Sequence, residues 1–150
     1  MSHPVAVTPE AQLAIERACE RLAADYCYFA DNRDFTAWAN VFAEDGELIV
    51  AGKSVKGRAA IRQSVGGPES TGTVTVHSNS NLRIDVVSAE EARGTVTITA
   101  FAVPHSGAGP AMVQTITPVV VGTYRDVYRK TAEGWRIARR EFVPTIARAQ

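Results

Sequence analysis

From Val74 onward the chain is almost all strand, in four β-branched, apolar segments. In the first, Leu82, Ile84 and Val86 alternate with Arg83 and Asp85, which predicts a strand over 81–88 with one buried and one polar face, and places His77 at its leading end. Gly94 to Val103, Val113 to Lys130 and Trp135 to Val143 supply the others, joined by hairpin-like connections at Ser88–Arg93 and Thr131–Gly134. Pro104 to Pro110 reads as a loop whose glycines would let it move over an opening.

Helical signals all precede that run. Thr8 stands as N-cap before Pro9 and Glu10, and Ile15, Ala18, Leu22, Tyr26 and Phe29 recur at three and four, which predicts a long amphipathic helix to about Ala30. Asp34 caps a second, short helix over Phe35–Phe42. Glu44-Asp45-Gly46 turns into a strand, Glu47 to Ala51; Gly52 to Gly57 is a turn region, Arg58 to Val65 a third short helix, and 68–72 a loop. Helices first and antiparallel strands after predict an α+β fold, a strongly bent sheet closed on one side by the long helix. Such a sheet makes a cone with an interior.

The 150 residues show no break in composition, so a single domain over 1–150 is expected, with a flexible N-terminus at 1–7 and a C-terminal tail at 144–150. Sixteen Lys and Arg balance sixteen Asp and Glu, which leaves no net field for nucleic acid or anionic lipid. The one basic run, Arg136 to Arg140, reads as a solvated strand edge or face. No membrane span or signal peptide is evident, and a cytoplasmic location is expected. Cys19 and Cys27, eight apart on one helix and so about 12 Å apart, are too distant for a disulfide and read as buried thiols. No metal, flavin, nucleotide or haem motif occurs, so no cofactor is expected.

Asp31 falls where the helix dipole disfavours a negative charge. It either closes the helix as an Asx-turn or faces a group that becomes positive, such as a histidine. His77 is either a hydrogen-bonded core histidine or a base. His3 and His105 are weaker candidates. Tyr124, Asp126 and Tyr128 share one strand face; if it looks inward, Tyr124 is a pocket hydroxyl and Asp126 needs a partner, and if outward they form cross-strand pairs. Trp38 and Trp135 read first as core. Arg140 is either an edge charge or a fixed cation able to meet a leaving anion.

With these residues in view, the chain from about Ala14 to Phe142 resembles the SnoaL-like branch of the nuclear transport factor 2 superfamily, whose fold is a cone of bent antiparallel sheet over a long helix. His77, Asn81-Leu82-Arg83, Val87-Ser88-Ala89 and Gly94 resemble the pattern of its hexachlorocyclohexane dehydrochlorinase members, and Gly122-Thr123-Tyr124, Tyr128 and Trp135 follow in similar register. The resemblance implies an Asp31–His77 dyad and sets the dehydrochlorinase arginine on Arg140. It departs from the scytalone dehydratase pattern: that enzyme's two tyrosines fall on Ala30 and Val50, its second histidine near Ala102 unless a bulge brings in His105, and its serine and asparagine on Gly122 and Tyr124.

The function this implies is a cofactor-independent lyase, a dehydratase or dehydrohalogenase, with His77 and Asp31 catalytic and a hydrophobic cyclic substrate held among Leu22, Tyr26, Trp38, Phe42, Phe101, Tyr124 and Arg140. Isomerisation or polyketide-type cyclisation by the same dyad is a second reading. A non-catalytic binding or partner subunit is a third. Assembly as a homo-oligomer, dimer or trimer, through the outer face of the sheet is also implied.

Overall fold

Thr8 starts the first helix as its spacing predicts: its Oγ1 accepts Ala11 N–H at 3.2 Å, and α1 runs Pro9–Asp31. The structure is a computed structural model and describes residues 7–67 and 71–147; residues 1–6 with His3, 68–70 of the loop and 148–150 of the tail lie outside the described residues. Beyond Asn32 the helix is closed by paired bonds, Arg33 N–H to Ala30 O at 3.1 Å and Asp34 N–H to Phe29 O at 3.0 Å. Asp34 then caps α2 (Phe35–Asn40) by accepting Ala37 N–H at 3.0 Å. α2 stops two residues short of Phe42 because Phe42 opens a strand, and the third helix, α3 (Arg58–Gln63), ends before Val65.

Six strands follow: β1 (Phe42–Val50), β2 (Lys53–Lys56), β3 (Thr73–Val86), β4 (Glu91–Pro104), β5 (Val120–Thr131) and β6 (Gly134–Ala147). Their order in one sheet is β2-β1-β6-β5-β4-β3. The expected turn at 52–57 contains β2, hydrogen-bonded to β1. β3 begins at Thr73, so His77 lies within a strand and not at its head. Residues 105–119 form no strand, and β6 continues past Val143 into the expected tail. All neighbours are antiparallel except β1 and β6, which run parallel because the β3–β6 meander returns the chain beside β1 in the same direction.

Bulges bend this sheet. β3 carries one extra residue between Ser80 and Arg83, with Asn81 at φ 50, a conformation asparagine tolerates better than branched residues. β6 carries two, opposite the Val121/Gly122 and Val127/Tyr128 steps of β5. Each extra residue swaps which side chains face inward. On β3 the inner face therefore passes from His77 and Asn79 to Leu82, Ile84 and Val86. On β6 it passes from Ile137 to Arg140.

The concave face closes on α1. Ile15, Cys19, Leu22, Tyr26 and Cys27 pack against Val96, Ile98, Tyr124, Tyr128 and Ile137. Tyr124, Asp126 and Tyr128 all turn inward, and the partner Asp126 requires is Arg140 directly across from it on β6. The basic run expected at a solvated face is thus split: Arg139 pairs with Glu47 and Glu141 near the surface, while Arg140 is 0 % exposed.

Candidate active site

β3 is an edge strand, so its outward backbone groups need partners other than a strand. α1 supplies one: the backbone N–H of His77 donates to Asp31 Oδ2 at 2.8 Å. The side-chain Nδ2 of Asn79 also ties β3 to the helix, donating to Ala23 O at 2.9 Å. Asp31 Oδ1 accepts from His77 Nδ1 at 2.6 Å and from Thr75 Oγ1 at 3.3 Å. One carboxylate therefore holds both the main chain and the ring of His77, which fixes the ring's orientation. Because a carboxylate only accepts, Nδ1 carries the proton and Nε2 is left as the basic nitrogen. Both side chains are about one-fifth exposed.

His77 lines two cavities. One, about 410 Å³, lies inside the cone and is walled by Tyr26, Ala30, Phe35, Trp38, Val65 and Thr75 with others. The second, about 570 Å³, is a groove between α1 and the β3 edge, lined also by Asp31, Asn79 and the buried Cys27. The dyad stands between the two. Its inner cavity is mostly apolar and aromatic, with Tyr26 5.3 Å from Trp38 centroid to centroid. Trp38 is 3 % exposed, and its Nε1 is a buried donor without a hydrogen-bond partner among the described residues.

Other expected substrate contacts are placed elsewhere. Phe42 is fully buried behind the cavity, edge-on to Tyr26 and Trp38, and supports them without lining it. Phe101 is on the opposite face of β4 from Ile98 and Ala100, because alternate residues of a strand point apart, and lines neither cavity at the dyad. Tyr124 lies behind Tyr26, with centroids 5.4 Å apart. Arg140 is no leaving-group contact: its guanidinium forms bonds of 2.8 and 2.7 Å to Asp126 and stacks at 4.3 Å on both Tyr26 and Tyr124. Burial alone lowers its pKa, but the charge and hydrogen bonds of Asp126 outweigh that and hold it well above the ordinary arginine value. Burial also raises the Tyr26 and Tyr124 hydroxyls, so they act as donors near neutral pH.

His105 stays outside the site. β3 and β4 keep unbroken register from Thr73 opposite Pro104 to Ser80 opposite Thr97, so no bulge brings it inward, and its Nε2 meets Gly109 O at 3.1 Å. Nor is there room for a serine at Gly122, where even a Cβ would come within 2.5 Å of Val143 O. Thr75 and Asn79 were not expected in the site, although counting back and forward by two from His77 would have found them. Among the described residues no three His, Cys, Asp or Glu side chains converge as metal ligands would, and no helix is long and apolar enough to cross a membrane.

Burial pushes the Cys19 thiol up to about 12 and that of Cys27 up to about 11; Cys27 donates to Asn79 Oδ1 at 3.3 Å. At pH 8 both are protonated, so they should react with Ellman's reagent far more slowly in the native protein than in guanidinium, where about two thiols per chain should appear at once. Rapid native reaction of Cys27 would contradict that protonation.

Comparison with known proteins places this geometry. The SnoaL-like domain model matches residues 11–141. A Novosphingobium aromaticivorans protein provisionally described as a scytalone dehydratase is 28% identical, with 93% of this chain and 89% of that chain covered and a TM-score of 0.76. A protein of the same organism, described as nuclear transport factor 2-like with a cystatin-like fold, is also 28% identical, covering 93% and 90% at a TM-score of 0.72. LinA, a hexachlorocyclohexane dehydrochlorinase, is 18% identical over 93% of this chain and 97% of its own, with a TM-score of 0.73, a likeness of fold. No curated protein matches the sequence.

Proposed function

The chain belongs to the SnoaL-like domain family, and from that premise we propose that it is a cofactor-independent lyase in which Asp31 and His77 act as a general-base dyad on a small cyclic molecule. The observation that carries the reading is the 2.6 Å contact between His77 Nδ1 and Asp31 Oδ1 at the wall of an aromatic-lined cavity. With Nδ1 held, Nε2 takes a proton from a carbon of the substrate, or from a hydroxyl conjugated with the reacting centre. Asp31 stabilises the imidazolium that forms. Water or halide then leaves the neighbouring carbon.

Arg140 and Tyr124 are set back from the cavity, so the developing negative charge needs other donors. The 28% identical relative described as a dehydratase favours elimination among the reactions a dyad of this kind can perform.

Mass spectrometry of products tests the reading. Hydroxylated and halogenated cyclic substrates incubated with the protein are expected to lose water or hydrogen halide. A product of unchanged mass with a shifted double bond would replace elimination by isomerisation, and turnover unaffected by loss of His77 would remove the dyad from the chemistry.

A further inference from the structure

The acid of the dyad stands where its own element favours it least. Asp31 is the last residue of α1, at the end where the helix dipole repels a carboxylate. Its hydrogen-bond donors come from β3 instead, and two residues supply them. His77 gives its backbone N–H to Oδ2 and its ring Nδ1–H to Oδ1, while the half-buried Thr75 gives its hydroxyl to the same Oδ1 at 3.3 Å. Thr75 lies two residues before His77, on the same face of the strand.

A carboxylate that is to orient a ring must itself be held by something other than the ring. The backbone N–H of His77 is one such point, on Oδ2. One bond alone leaves the carboxylate free to swing about it, and Asp31 lines the groove, where solvent competes for Oδ1. The Thr75 hydroxyl is a second point, on the other oxygen. Two points, one on each oxygen, set the plane of the carboxylate. Threonine suits the task because a β-branched side chain is stiff at χ1, so its hydroxyl is aimed in advance. The strand that carries it is fastened to α1 again at Asn79, whose Nδ2 donates to Ala23 O at 2.9 Å.

We propose that Thr75 is a positioning residue of the dyad: its hydroxyl sets the Asp31 carboxylate, and through it the ring of His77, before substrate arrives. Without that hydroxyl, Oδ1 turns toward the groove and its bond to Nδ1 lengthens. The ring then spends less time with Nε2 aimed at the reacting atom, which slows the chemical step and leaves binding alone. The effect on turnover rests on the dyad reading above, whereas the change in the hydrogen bond does not need a substrate.

Two variants test it. Thr75→Val keeps the volume, the branched Cβ and the preference for strand but removes the hydroxyl, and Thr75→Ser keeps the hydroxyl. NMR of the ligand-free protein reads the imidazole directly: the wild type should show a downfield proton on Nδ1 and a bare Nε2. In Thr75→Val that proton is expected to move upfield and to exchange faster with water, and in Thr75→Ser to stay near its wild-type position. With the substrate that product analysis identifies, Thr75→Val should lower kcat about fivefold at unchanged KM, and Thr75→Ser should restore most of it. Both variants should melt within about 2 °C of wild type. A Nδ1 proton that Thr75→Val leaves in place or moves further downfield would overturn this inference alone; a wild-type proton on Nε2 would overturn it together with the dyad. It also fails if Thr75→Ser behaves as Thr75→Val does, which would make the branch and not the hydroxyl the working part, or if KM alone changes, which would make Thr75 a substrate contact.

Discussion

Asp31→Asn is expected to lower kcat by about 10³-fold with little change in fold, because it leaves the histidine in place with its proton on the wrong nitrogen. In the native dyad the two carboxylate oxygens accept from the His77 backbone N–H at 2.8 Å and from Nδ1 at 2.6 Å. Asparagine offers one acceptor and one donor. The backbone N–H can only donate, so it claims the asparagine oxygen, and the amide NH₂ turns to Nδ1. Nδ1 must then accept, Nε2 carries the proton, and no base faces the substrate. His77→Gln should cost about as much, and the double variant little more than either single one, since the pair acts as a unit. Steady-state kinetics on the substrate found by product analysis measure this. An Asp31→Asn enzyme within about threefold of wild type would remove the tautomer argument.

Asp126→Ala carries the largest expected effect on stability. It strips a 0 % exposed guanidinium of both its charged hydrogen bonds and leaves the Tyr128 hydroxyl, which donates to Asp126 at 2.7 Å, without an acceptor. Breaking a buried pair from one side costs about 3–5 kcal/mol, a large part of the stability of a domain of this size. The melting temperature should fall by on the order of 10 °C. Removing both charges with apolar residues of similar volume, Asp126→Leu with Arg140→Met, should recover most of the loss, since no uncompensated charge remains. Thermal melts of the three proteins decide it: a single variant within about 2 °C of wild type, or a double variant no better than the single, contradicts a tightly coupled buried pair. The consequence reaches the site, because Arg140 stacks beneath Tyr26, a wall of the inner cavity.

Much of this was legible from residue order. Thr8, Pro9 and the apolar stripe to Phe29 mark a helix that forms where they say, since caps and a 3.6-residue period act locally. The β-branched run after Val74 marks the strands for the same reason, and Asp34 marks the start of α2. Errors gathered at ends and edges. β2 went unread because a four-residue edge strand inside a glycine-flanked turn has almost no pattern of its own, and 113–119, β-branched like a strand, form none; Val119 only adjoins the ladder, its N–H donating to Ala100 O at 2.8 Å.

The sequence by itself determined which segments are helix and strand, that a polar residue at 31 and a histidine at 77 need explaining, and that Asp126 needs a partner if buried. Only the tertiary structure decided which face each of these shows. Counted strictly by two, His77 and Leu82 belong to opposite faces of β3, and Ile137 and Arg140 to opposite faces of β6. One extra residue in each strand, at Asn81 and beside Ile137, brings each pair to the same side. A bulge is a property of how two strands pair, so alternation in a single strand does not contain it. That is why Arg140, read as a charge at an edge or facing a leaving anion, lies in the core holding Asp126, and why His77 shares the inner face of β3 with the apolar residues that follow it.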